Sequence, residues 1–116
     1  MERIIKVGEY EFPAKSTAAS LISYKANFNR DGLRDLLSLA KGIPEGKEEI
    51  NLENFDIDVF FRFLWVFAKA SDKTIPPLEQ WLGRFETPPI DFVNEAFPYV
   101  ADLLGTTAKG SVPPKK

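Results

Sequence analysis

At 116 residues, of which 44% are hydrophobic, the chain is the size of one domain and can bury a modest core. It has no cysteine and no histidine, which excludes disulfides and thiolate metal sites and removes the commonest general base and transition-metal ligand. Three lysines (Lys109, Lys115, Lys116) follow Leu104 and no acid does, so residues 1–104 carry 12 positive against 17 negative charges, a net of −5 that repels a phosphate backbone.

The start, "MERIIKVGEYEF", has no apolar stretch long enough for a signal peptide. It alternates instead. Ile5 and Val7 share one strand face with Lys6 opposite, Tyr10 and Phe12 alternate again after Gly8-Glu9, and Gly8 can take the positive φ of a type II′ turn. The spacing predicts a β-hairpin closed by Pro13. Ser16 or Thr17 then caps a helix carrying Leu21, Ile22, Lys25 and Phe28. After "NRD" a second helix places Leu33, Leu36, Leu37 and Ala40 at i, i+3, i+4 and i+7, with Gly42 as its stop. The two read as an antiparallel pair. "IPEGKEEINLEN" is polar and turn-rich, a loop.

Nine of the ten residues from Val59 to Ala68 are apolar. The run is interrupted by Arg62 and ends at Lys69, so it falls short of the roughly 20 apolar residues that span a bilayer. It predicts a helix from about Phe55 to Ala70, with Asp56 and Asp58 near its positive N-terminal dipole. Asp58, Arg62, Lys69 and Asp72 fall into one narrow stripe and the rest of the circumference is apolar, as for a central helix packed on several sides. Trp65 falls inside that stripe. It either packs under the following "PPLEQWLGRF" helix, the preferred arrangement, or is an exposed anchor.

"TIPPLEQWLGRF" and "TPPIDFVNEAF" each set a double proline before an apolar and an acidic residue, two helix starts. Leu78, Trp81, Leu82 and Phe85 form one face of the first. Val93, Ala96, Phe97, Val100 and Leu104 form a face of the second, which Pro98 is expected to kink and Gly105 to end. The expected fold is mainly α (α+β): an N-terminal β-hairpin followed by about five helices packed around a central aromatic-rich helix. Residues 1–104 read as a single globular domain and 105–116 as a disordered tail.

No catalytic constellation stands out. Ser23 and Lys25 do not face each other on a helix, the glycines are scattered with no phosphate loop, and the acidic pairs Glu48-Glu49 and Asp56/Asp58 lack the ordered spacing of a calcium loop. The expectation is a non-enzyme without cofactor or metal. What remains are the charged turn "NRDGLRD" and the aromatics, ten Phe, three Tyr and two Trp. Most aromatics must be core, yet interfaces use the same residues as anchors. The candidate partner-contacting residues are therefore Arg30, Asp31, Arg34, Phe61, Trp65, Trp81 and Phe85.

Taken together, "ISYKANFNRDGLRDLLSL" and "FDIDVFFRFLWVFAKASDKTIPPLEQWLGRF" resemble the tail assembly chaperones of long-tailed phages and prophages of Gram-positive bacteria. The family pattern Tyr-x-x-x-Phe-x-Arg-Asp falls on Tyr24, Phe28, Arg30 and Asp31. The pattern Trp-x-x-Ala-Lys-x-x-Asp falls on Trp65, Ala68, Lys69 and Asp72, and Pro-aliphatic-Glu-x-Trp-Leu on Pro77, Leu78, Glu79, Trp81 and Leu82. The resemblance covers roughly residues 3–104, with Asn29 where many of that family carry Gly. It implies a homo-oligomeric protein of the bacterial cytoplasm, absent from the finished virion, that coats the tape-measure protein and keeps it soluble until the tail tube polymerises. The alternative is a structural virion component, a tail-completion or head-tail connector protein. Neither nucleic acid nor membrane is an expected partner.

The same resemblance implies a second, longer form made by a −1 ribosomal frameshift, whose added domain recruits tail-tube protein. Pro114-Lys115-Lys116 can be encoded by the run of adenines that permits slippage. The expected outcome is a slippery heptamer across those codons with the −1 frame open beyond it. Reading the DNA checks this, and lysine codons that cannot slip would dismiss the site.

Overall fold

A computed structural model describes residues 1–41 and 55–105. The chain opens with a hairpin of β1 (Glu2–Val7) and β2 (Tyr10–Lys15), joined by Gly8-Glu9. Gly8 has a φ of 59° and Glu9 no positive φ, the pattern of a type II′ turn. Beyond the strands, Met1 and Ser16 exchange two backbone hydrogen bonds of 2.9 Å. Odd-numbered residues of β1 therefore make the bonded pairs, and the pair Ile4↔Pro13 falls between them. Pro13 consequently does not close the hairpin: its missing N–H sits where the ladder needs no donor, and the strand continues to Lys15. Ile5, Val7 and Ala14 point inward and are fully buried.

Five helices follow: α1 (Ser20–Phe28), α2 (Gly32–Lys41), α3 (Ile57–Ser71), α4 (Leu78–Leu82) and α5 (Pro89–Leu104). The architecture is the expected α+β hairpin followed by helices. α3 is its centre, packing against β2 and against every other helix. Its N-cap is Asp56, whose Oδ1 accepts from the Val59 N–H at 3.2 Å. α5 runs beside β1, where the Gly8 N–H donates to Glu95 Oε1 at 2.7 Å and Arg3 Nε lies 3.6 Å from Asp102. Among the described residues no helix is long and apolar enough to cross a membrane.

Some boundaries differ from expectation for local reasons. α1 starts at Ser20 because Thr17 caps a preceding turn, its Oγ1 accepting from Ala19 while its own N–H donates to Ser20 Oγ. α1 ends on Asn29 at φ 56°, a left-handed position that Asn tolerates better than most residues. α4 is only five residues long, so Phe85 lies beyond it and packs edge-on against Tyr10 and Trp81, each 5.1 Å away. α5 runs on through Pro98, which is exposed, and ends at Gly105 with φ 83°. The expected loop, Gly42 and the tail beyond Gly105 lie outside the described residues.

Trp65 is buried despite its place in the polar stripe. Asp72 accepts from both the N–H and the hydroxyl of Thr74, turning the chain back so that Ile75–Pro77 lies over the stripe. The indole Nε1 then donates to the Pro76 carbonyl at 2.8 Å, and Lys69 Nζ donates to Ile75 at 2.9 Å while sitting 5.6 Å from the Trp65 ring centre. Phe28 meets the indole edge-on at 5.5 Å. Trp65→Ala should therefore cost about 3–5 kcal/mol in urea unfolding. A midpoint within experimental error of the parent protein would contradict this packing.

Candidate interaction surface

The surface begins with a buried carboxylate. α1 and α2 are joined by Asn29-Arg30-Asp31, with Asp31 Oδ1 accepting from the Arg34 N–H at 3.1 Å at the start of α2. Gly32 allows the close approach: a Cβ there would stand 3.0 Å from the Leu21 carbonyl oxygen. One turn later Asp35 points inward and is buried. Its Oδ2 accepts from the Tyr24 hydroxyl and from Arg30 Nε, both at 2.6 Å, and its Oδ1 from Arg30 Nη2 at 3.1 Å. Arg62 of α3 adds its Nη1 at 3.8 Å from the carboxylate and 3.5 Å from the Tyr24 hydroxyl. Tyr24 itself stacks on Phe63 at 4.4 Å. One carboxylate thus joins α1, α2 and α3.

This arrangement sets the rotation of α2. Asp35 and Leu39 face the core, so Leu33 and Leu37, one helical turn apart, face out with 53% and 56% of their area exposed, beside Ile22 of α1 at 73%. The expected buried face of α2 is therefore corrected: of Leu33, Leu36, Leu37 and Ala40, only Leu36 and Ala40 are partly covered. Between the helices lies an apolar groove walled by Leu21, Ile22 and Ala26 on one side and Leu33 on the other, with Asp31 at its end; a second hollow, on the outer face of α2, adjoins it at Asp31 and Leu33 and runs past Arg34 to Leu37. Lys25 and Arg34 stand on its rim.

The sequence candidates fall into three groups. Arg34 lies on the exposed rim, with Asp31 beside it capping α2. Arg30 is half exposed, but its guanidinium is engaged by Asp35. Trp65 and Trp81 are buried, while Phe61 and Phe85 are partly buried against Phe92. The apolar groove residues Ile22, Leu33 and Leu37 were not among the candidates. The signal for them was Asp35, an acid on the inner side of an amphipathic helix with a tyrosine and arginines close in sequence. Among the described residues no group of acidic side chains could hold a metal ion. Compared with known proteins, the chain matches no family model, no curated protein and no solved structure.

The guanidinium of Arg30 holds the Asp35 carboxyl below the usual carboxylate range against the opposing effect of burial, with further help from the Tyr24 hydroxyl and the charge of Arg62. Burial, followed by its bond to Asp35, pushes the Tyr24 hydroxyl up to about 12. A lowered acid contributes stability that is fully present above its unfolded value, about 4, and is lost as pH falls through the folded one. A raised tyrosine contributes stability present below about 10 and lost as pH rises towards its folded value. Asp35→Asn should lower stability at neutral pH by on the order of 3 kcal/mol and flatten the acid limb of the profile. Tyr24→Phe should flatten the alkaline limb. Urea unfolding across pH measures both, and unchanged limbs would contradict the assignment.

Proposed function

We propose that the protein is a tail assembly chaperone of a long-tailed phage or prophage, binding the tape-measure protein and keeping it soluble until the tail tube polymerises. The observation that carries this reading is the exposed apolar surface of Ile22, Leu33 and Leu37 on α1 and α2. The groove is built by the segment that holds Tyr24, Phe28, Arg30 and Asp31, on which the first of that family's patterns falls. Asn29 also fits the family's preference for Gly there, since its left-handed φ of 56° is one that Gly adopts freely.

A chaperone of this kind needs a surface for amphipathic helices and no reacting groups. It acts in the cytoplasm of the bacterial host, assembles as several copies along its client, and reaches tail-tube protein through the longer, frameshifted form. Repeated copies on one filament gain avidity even if each contact is weak.

Co-expression tests the reading. Fragments of the tape-measure protein that precipitate alone should stay soluble with this chain, and equal solubility with and without it would remove the chaperone function. Stoichiometric copies in purified particles, seen by mass spectrometry, would favour a structural virion component instead.

A further inference from the structure

The charge on the groove's rim specifies its occupant further. Among the described residues neither Lys25 nor Arg34 has an acidic side chain within 4.0 Å, as is also true of Lys69, Lys73 and Arg84, whereas Arg3, Lys6, Lys15, Arg30 and Arg62 are paired. The carboxylate nearest in sequence to Arg34 on the rim, Asp31, already accepts a backbone N–H from α2. The other acid of α2, Asp35, is buried and neutralised by arginine. Beside its exposed apolar residues a chain of net charge −2 thus presents two cations with no ion-pair partner among the described residues, against the single carboxylate of Asp31, a local excess of positive charge.

The walls are helices, and helices offer no free backbone donors or acceptors along their length, so an added β-strand has nothing to pair with. Recognition there runs through side chains, and an apolar stripe at helical spacing is what fits beside Leu33 and Leu37, one turn apart. We propose that the α1–α2 groove binds an amphipathic α-helix of a partner protein whose apolar stripe is flanked by Asp or Glu, the acids meeting Lys25 and Arg34. This rests on the chaperone reading for the partner's identity, which would be an acid-flanked helix of the tape-measure protein.

A second copy of this chain is the competing occupant. Its α5 is acidic, with Asp91, Glu95 and Asp102 and no Lys or Arg. However, the apolar stripe of α5 is spent on its own core through Val93, Ala96 and Val100, and Glu95 and Asp102 are engaged by Gly8 and Arg3. Only Ile90 remains as an exposed large aliphatic on α5. That is a poor match for three outward aliphatic residues.

The test uses the full chain and two labelled designed helices with the same leucine stripe, one flanked by Glu and the other by Lys, followed by fluorescence anisotropy. The Glu-flanked helix should bind about tenfold more tightly, the value expected from two exposed ion pairs, and the preference should shrink with salt. Leu37→Glu should abolish binding with little change in melting temperature, because more than half of the side chain is already in water. Lys25→Glu with Arg34→Glu should reverse the preference towards the Lys-flanked helix. Equal affinity for both helices, or binding that survives Leu37→Glu, would overturn the proposal. So would self-association in sedimentation that Leu37→Glu removes while neither helix binds, which would assign the groove to a second copy. If the Leu37→Glu variant still keeps tape-measure fragments soluble, the groove assignment fails and the chaperone reading stands. If the helices bind as described but no fragment is kept soluble, the chaperone reading fails and the groove stands.

Discussion

The geometry of the helical half depends on the single buried carboxylate of Asp35. Three groups converge on it, Tyr24 from α1, Arg62 from α3 and Arg30 from the turn between α1 and α2, and each is needed by the others. Without the carboxylate, the Tyr24 hydroxyl would be buried beside Phe63 with no strong acceptor, and two guanidinium groups would face each other without a counter-charge. An alternative rotation of α2 that buried Leu33 and Leu37 would gain apolar area, at about 1.5–3 kcal/mol for each side chain fully covered. It would also carry Asp35 away from Tyr24, Arg30 and Arg62 together. The polar network thus opposes the better hydrophobic solution for α2, and the exposed leucines follow from it.

The other half of the molecule is held by aromatic packing, and among the described residues it shows no comparable buried charge network. Trp81 and Phe85 reach up to Phe12 and Tyr10 of the hairpin, and Phe85 continues to Phe92 of α5, so a row of edge-on and tilted rings with centres 5.1–5.4 Å apart ties β2 to α4 and α5. Such ring pairs contribute about 0.5–1.5 kcal/mol each beyond the area they bury. This lets α4, at five residues, hold its position although a helix so short has almost no stability of its own.

Most of the fold was legible in the sequence, because it rests on local signals. Gly8 between two alternating runs gave away the hairpin, the apolar run from Val59 the central helix, expected from about Phe55 and found from Ile57 with Asp56 as its cap, and the prolines before Leu78 and Ile90 the last two helices. The helix faces were less legible where apolar residues cover a wide arc. In α2, Leu33, Leu36, Leu37, Leu39 and Ala40 satisfy more than one helical stripe, and periodicity favours the stripe richest in leucine. The deciding interaction is between Asp35 and residues 5, 11 and 27 positions away, which no local pattern contains. Trp65 was ambiguous for a related reason: its cover comes from Ile75–Pro77, folded back by the Asp72–Thr74 turn.

The same network that leaves the leucines outside also shapes the groove they line. Arg30 and Asp35 clamp the turn between α1 and α2, and Gly32 sits against Leu21 with no room for a side chain. The groove walls therefore have a set spacing before any partner arrives. Association costs are dominated by lost freedom, so a surface already ordered by bonds behind it loses less when it is filled. A flexible apolar patch of equal area would collapse onto its own helices and would not distinguish one flanking charge from another. Lys25 stands on α1 and Arg34 on α2, so the clamp that fixes the helix pair also fixes where the two charges lie relative to each other. The charge selectivity proposed for the groove therefore depends on the buried carboxylate, although Asp35 is itself buried.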